Sequence, residues 1–149
     1  MAHALALVEK AYRGALEKQF FDSLYLATEL HRQLGGLDIL LRGRAVTYGI
    51  EAPPVPALRM GGRTLDTLSD PRRDLRALIE AGVGVWAERD ALAAHGLHEA
   101  ALAPDETAPA MDGDKPPAGV PVRLLDGVRT VADGEMAARW PEYRMVFYL

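Results

Sequence analysis

Lys10, Arg13, Arg42, Arg44 and Arg89, with Glu9 and Glu88 beside them, are the residues whose types could share one chemistry. An arginine fork matches phosphate, sulfate or carboxylate through two parallel N–H···O bonds, and lysine adds a point charge. Gly14 stands where a long helix should begin, and free N–H groups at a helix start also favour an anion. The chemistry implied is capture of a small acidic molecule. The plainer competing reading is that these charges are solvated or paired with each other. Tyr12 and Tyr48 could add hydroxyls to the same place. Acid–base work by a phenol needs a pKa far below its usual value of about 10, so packing at the rim is the simpler role. Glu9 and Glu88 form the one plausible carboxylate pair. They could exchange protons if they lie close and one pKa is raised. Ion pairs with Lys10, Arg42 or Arg89 are the alternative, and no catalytic residue is assigned.

Other chemistries are excluded or weakened by composition. The chain has no cysteine, which removes disulfides, thiolate metal sites and thiol nucleophiles together. The histidines are His3, His31, His95 and His98. His31 falls on an apolar helix stripe and reads as a buried, hydrogen-bonded side chain. His95 and His98 are interrupted by Gly96, and no HExxH or carboxylate cluster accompanies them, so no metal is expected. Ser23 has no neighbouring base and no GxSxG elbow. No glycine-rich phosphate loop occurs, so no nucleotide or other cofactor is expected. A net charge of −4 argues against non-specific nucleic-acid binding. No run approaches the roughly 20 apolar residues of a membrane helix. Met1 to Lys10 lacks the pattern of a signal peptide. The expectation is a cytoplasmic protein with no membrane and no nucleic-acid partner.

Convergence of the charged residues depends on the elements that carry them. With 149 residues, 49 % of them apolar, one domain of 1–149 with a real core is expected. Ala4–Val8 (ALALV) and Leu37–Leu41 (LDILL) are short apolar runs suited to parallel strands buried on both faces. Leu16, Phe20, Leu24, Ala27, His31 and Leu34 recur at helical spacing, and Gly35-Gly36 stops that helix. Residues 45–50 are ambiguous between strand and short helix, and the prolines of 51–56 break regular structure. Residues 58–65 predict a hairpin around Gly61-Gly62. Ser69-Asp70-Pro71 predicts a helix start, with Leu75, Leu78 and Ile79 as its buried stripe. Val83–Trp86 reads as the third strand, followed by a short helix capped by Asp90 and closed by Gly96. Residues 99–121 lack periodicity and read as a flexible loop or flap. Val122–Leu125 and Val128–Val131 are strand-like pieces around Asp126-Gly127. Asp133 is expected to cap a short helix, and Met145–Leu149 to form a final buried strand. Strands alternating with helices predict an α/β fold: a three-layer, open, mainly parallel sheet with helices on both faces and a small hairpin insertion.

The order of four stretches resembles the DsrE/DsrF-like (TusD-like) sulfur-relay family. They are ALALVEKAYRGALEKQFFDSLYLATELHRQL, LDILLRGRAVTYGI, LRALIEAGVGVWAERDALAAHGL and VRTVADGEMAARWPEYRMVFYL. The resemblance covers the chain except about 51–69 and 99–121. It implies a homo-oligomer, a trimer or hexamer, and a link to sulfur metabolism. Several family members carry persulfide on a cysteine just after the third strand. Here that place reads Trp86-Ala87-Glu88-Arg89, so persulfide transfer is excluded.

Ligands of open α/β sheets sit beyond the carboxyl ends of the strands. That rule selects Lys10, Tyr12, Arg13, Gly14, Arg42, Arg44, Tyr48 and Glu88 as the candidate ligand-binding set. The expected protein is a cysteine-less, non-catalytic oligomer that binds a small anion or a partner protein there. The alternatives are an enzyme using Glu9, Glu88 or Tyr12 with an arginine clamp, and an interaction subunit without ligand.

Overall fold

A computed structural model of the chain describes residues 3–11, 22–65, 70–100 and 119–149. Its centre is a five-stranded parallel sheet in the order β8-β5-β2-β1-β9, made of β1 (Ala4–Val8), β2 (Leu37–Leu41), β5 (Gly84–Glu88), β8 (Val128–Val131) and β9 (Met145–Tyr148). Every pair within it is parallel. Side chains alternate across a strand, and both faces are covered. Ala4, Ala6, Val8, Leu37, Ile39, Leu41, Val85 and Ala87 belong to one buried cluster. Leu5, Leu7 and Leu40 belong to another on the opposite face. Strands buried on both faces need apolar residues at nearly every position, which is why ALALV is wholly apolar and LDILL has one polar residue, Asp38, near its amino end.

On the first face pack α1 (Ser23–Leu34), α2 (Pro71–Glu80), α3 (Arg89–Ala94) and the 3-10 turn Gly43–Gly49, through Leu24, Ala27, Leu75, Leu78, Leu92 and Val46. The Asp22 carboxylate caps α1 by accepting from the N–H groups of Leu24 and Tyr25, both at 3.1 Å. The helix stops at Gly35, whose φ of 72° is left-handed and therefore costs little only for glycine. Leu16 and Phe20, the start of the expected stripe, lie outside the described residues. His31 is half-buried and bonded at both ring nitrogens. Nδ1 accepts from Leu37 N–H at 3.2 Å, and Nε2 lies 3.2 Å from the Ala81 carbonyl. This pairing requires the neutral ring with its proton on Nε2, and it ties the end of α1 to β2 and to the end of α2.

The ambiguous segment 45–50 is resolved as 3-10 turns through Gly49, with Ile50 extended. Arg72 holds their end in place: its Nε donates to the Ile50 carbonyl at 2.6 Å and its Nη2 to the Thr47 carbonyl at 3.1 Å. Asp70 caps α2, and Pro71 opens it. The hairpin is present as β3 (Leu58–Met60) antiparallel to β4 (Arg63–Leu65), turning at Gly61-Gly62.

Four local expectations are corrected. The Asp90 carboxylate is not a cap: α3 begins at Arg89, with Glu88 in the capping position two residues earlier. Asp133 is not the cap of α4 (Glu135–Arg139); Gly134, at φ 75°, holds that position, and the Glu135 carboxylate accepts from Ala132 N–H instead. Val122–Leu125 is not one strand. Val120–Val122 is β7, parallel to β6 (Leu97–Glu99), while Leu124 only bridges Ile50. The last strand is at the sheet edge rather than buried, with Tyr148 63 % exposed. Of the segment read as a flexible loop, residues 101–118 lie outside the described residues.

On the second face α4 presents Met136 to Leu5, Leu7, Leu40 and Val131, with Trp86, Trp140 and Tyr143 around it. Arg139 lies over the Trp86 ring, 5.3 Å from its centroid, a cation–π arrangement. At the amino ends of the strands Tyr143 OH donates to Asp38 Oδ2 at 2.8 Å, and Gly84 N–H donates to Asp38 Oδ1 at 3.1 Å. No described helix is long and apolar enough to cross a membrane.

Candidate functional site

The parallel register decides which residues meet. Val8 lies beside Leu41, and Leu41 beside Ala87, so the residues after β1, β2 and β5 emerge side by side. The backbone draws them closer. Arg42 N–H donates to the Val8 carbonyl at 2.9 Å, and Ala45 N–H to the Glu9 carbonyl at 3.3 Å. Gly43 makes this approach possible: at φ 49° any Cβ would be strained, and it would lie 3.2 Å from the Glu9 oxygen. The result is an open cleft of about 680 Å³ lined by Glu9, Lys10, Ala11, Arg42, Gly43, Arg44 and Glu88.

Arg42 is the hub. Its Nη1 lies 3.4 Å from Glu9 Oε1 and its Nε 2.8 Å from Glu88 Oε1. The second contact is an ion pair rather than an aligned hydrogen bond, since Nε finds no acceptor in bonding geometry among the described residues. Glu88 is the more buried partner, its side chain 16 % exposed. Burial raises the Glu88 pKa above its usual value; the Arg42 charge opposes this, and the charges of Asp133 and Glu9 add to it. Lys10 and Arg44 also line the cleft. Neither has a carboxylate partner among the described residues.

The structure therefore brings together Lys10, Arg42, Arg44 and Glu88 of the candidate set, and Glu9 with them. It places Tyr48 elsewhere: that side chain is 5 % exposed within the main core, where an apolar ring on the inner face of the 3-10 turns belongs. Arg89 is exposed on α3 and does not line the cleft. Tyr12, Arg13 and Gly14 lie outside the described residues. Among the described residues no group of three or more His, Asp or Glu side chains is arranged to hold a metal ion.

A second, smaller pocket of about 100 Å³ was missed by sequence reasoning. It is lined by Leu40, Arg42, Glu88, Val131, Ala132, Asp133, Gly134, Met136, Ala137 and Trp140. Arg42 and Glu88 line both cavities. The signal available was Val128–Val131. Placed next to the third strand as a parallel neighbour, it would have carried Ala132 and Asp133 to the same strand ends.

Sheet order, parallel pairing and helices on both faces make this an α/β protein built on an open parallel sheet. Among solved structures it matches the crystal structure of the ychN protein from E. coli, with a TM-score of 0.63, 20 % identity and 100 % of each chain covered. At that identity the likeness shows the fold alone. No family model matches the chain, and no curated protein matches it.

Proposed function

We propose that the cleft at the strand ends binds a small anionic molecule, and that the chain is a cysteine-less relative of the DsrE-like proteins acting as a binding subunit. One observation carries this: three cations face two carboxylates in one cleft, and Lys10 and Arg44 have no carboxylate of their own among the described residues. An arriving carboxylate, phosphate or thiosulfate would supply the missing negative charge. The Arg42 guanidinium has N–H donors beyond those directed at Glu9 and Glu88. The test is a thermal-shift screen with phosphate, sulfate, thiosulfate and short carboxylic acids. A ligand at one hundred times its Kd adds about 2.7 kcal/mol. The double variant Lys10→Ala/Arg44→Ala should lose that gain while keeping the unliganded melting temperature. Full retention of the gain would remove these cations from the site.

An enzymatic reading has one observation in its favour, the raised pKa of the desolvated Glu88. A carboxyl that holds its proton more tightly can serve as a general acid. Assembly is part of the proposal as well. Leu58, Met60 and Leu65 on the hairpin and Met145 and Tyr148 on edge strand β9 are exposed, and an unpaired edge with apolar side chains favours pairing. Light scattering should give a multiple of the 16.2 kDa chain. A monomer at micromolar concentration would end the oligomer reading.

A further inference from the structure

We propose that the ligand of the cleft carries an ammonium as well as its acidic group, and that the ammonium sits against Glu88 and Asp133 in the small pocket beside the cleft. The inference rests on the anion reading of the cleft and narrows it to one class: small zwitterions whose acidic group is a carboxylate or a phosphate.

Sheet order sorts the charges. Lys10 follows β1, Arg42 and Arg44 follow β2, Glu88 closes β5, and Asp133 follows β8. These strands are successive neighbours in the sheet, so the row of strand ends runs from basic to acidic. Glu9 is the exception, and Arg42 holds it at 3.4 Å. The two cavities repeat the division. Lys10 and Arg44 line only the cleft, and Asp133 lines only the small pocket. The ion pair of Arg42 with Glu88, at 2.8 Å, is the wall common to both.

Neither end is neutralised among the described residues. Lys10 and Arg44 have no carboxylate partner there, and Asp133 has no cationic one. Glu9 and Glu88 share one guanidinium, that of Arg42. The charges of Asp133 and Glu9 both act to raise the Glu88 pKa, against the pull of Arg42. The acidic side is therefore short of positive charge while the basic side is short of negative charge. A plain anion answers the cleft and leaves the pocket unanswered. A zwitterion answers both, with its acidic group on Lys10 and Arg44 and its ammonium on Asp133 and Glu88. The dimensions agree. The pocket of about 100 Å³ has room for roughly three groups of about 30 Å³ each, an ammonium and its last methylenes. Neighbouring strands lie about 4.8 Å apart. One to two spacings separate the end of β2 from the ends of β5 and β8, roughly 5–10 Å, the span of 4-aminobutanoate or 6-aminohexanoate.

The test is calorimetric binding of matched pairs in which a methyl replaces the ammonium: 4-aminobutanoate against pentanoate, 6-aminohexanoate against heptanoate, and 2-aminoethyl phosphate against propyl phosphate. The amine of at least one pair should bind roughly tenfold tighter, the order expected of a charge-assisted hydrogen bond. A gain in any pair supports the reading, and the pair with the largest gain names the acidic group and the chain length. Asp133→Asn should remove most of the gain and leave pentanoate and propyl phosphate unchanged. Ala137→Lys sends a competing ammonium into the pocket from α4 and should abolish the gain as well, so the inference stays testable if Asp133→Asn fails to fold. If the methyl partners bind and the amines bind no tighter, the zwitterion is overturned and the anion cleft stands. A gain that survives both variants overturns the placement of the ammonium. If none of the six compounds binds, the zwitterion and the anion cleft are overturned together.

Discussion

Arg42→Ala is expected to abolish anion-induced stabilisation and to cost the unliganded fold about 1–3 kcal/mol near neutral pH, between the values for an exposed and a buried pair. Arg42 contacts Glu9 and Glu88 at once, so its removal leaves two carboxylates facing each other with Asp133 close enough to act on Glu88. The pH dependence gives the prediction its sign. The folded pKa of Glu88 is already raised, so the native state holds this proton more tightly than the unfolded chain does. Its contribution to stability is complete below the unfolded carboxyl pKa and is lost as pH rises through the folded one. Arg42 is the charge that lowers this pKa. Without it the folded pKa rises further, and the loss on going to neutral pH deepens. The penalty of Arg42→Ala should therefore be largest near pH 7 and shrink toward pH 4. Adding Glu88→Gln should recover part of it. Urea unfolding across that range measures the effect, and a penalty independent of pH would show that Arg42 acts by packing alone. Glu88→Gln by itself also tests the enzymatic reading: binding should persist, while any proton-transfer step should vanish.

The parts of this site that the sequence makes legible are those fixed by local physics. ALALV and LDILL end where charged residues begin, so Glu9, Lys10, Arg42 and Arg44 could be assigned to strand ends directly. Asp70-Pro71 and Gly35 announce helix ends because their caps need only neighbouring N–H groups. Tyr48 reads as a cleft residue because it follows a strand, but 3-10 turns rotate it inward, and that turn is held by Arg72, which is distant in sequence. The small pocket depended on pairing β8 with β5, a non-local choice that Asp126-Gly127 obscured by resembling a hairpin turn. Asp133 looked like a cap by residue type; the left-handed Gly134 displaced it. Met145–Leu149 reads as buried because it is apolar, yet an apolar strand at an edge is equally consistent with its composition.

The opposite end of the sheet should show the other large effect, through a node with no part in binding. Asp38→Ala is expected to cost about 3 kcal/mol and to leave anion binding intact. The Asp38 carboxylate is the acceptor for Tyr143 OH and for Gly84 N–H, so its loss strands two donors at a poorly solvated site. Gly84 lets the carboxylate approach: a Cβ there would lie 2.7 Å from Asp38 Oδ1 and 2.7 Å from the Trp86 ring. Tyr143→Phe removes one of the two bonds and should cost less. It should also change the alkaline limb of stability. Burial, then the hydrogen bond to Asp38 and its charge, push the Tyr143 pKa well above the ordinary phenol value of 10.0. With a raised folded pKa, the contribution of Tyr143 is complete below the unfolded phenol pKa of about 10 and is lost as pH rises through the folded value. The wild-type protein should therefore lose stability steeply above about pH 10, and Tyr143→Phe should follow a flatter curve. Superimposable alkaline curves for the two proteins would mean that this phenol is not held by Asp38. A loss of anion binding in Asp38→Ala would mean that the two ends of the sheet are coupled rather than independent, because the node and the cleft share β2 and β5 but no side chain.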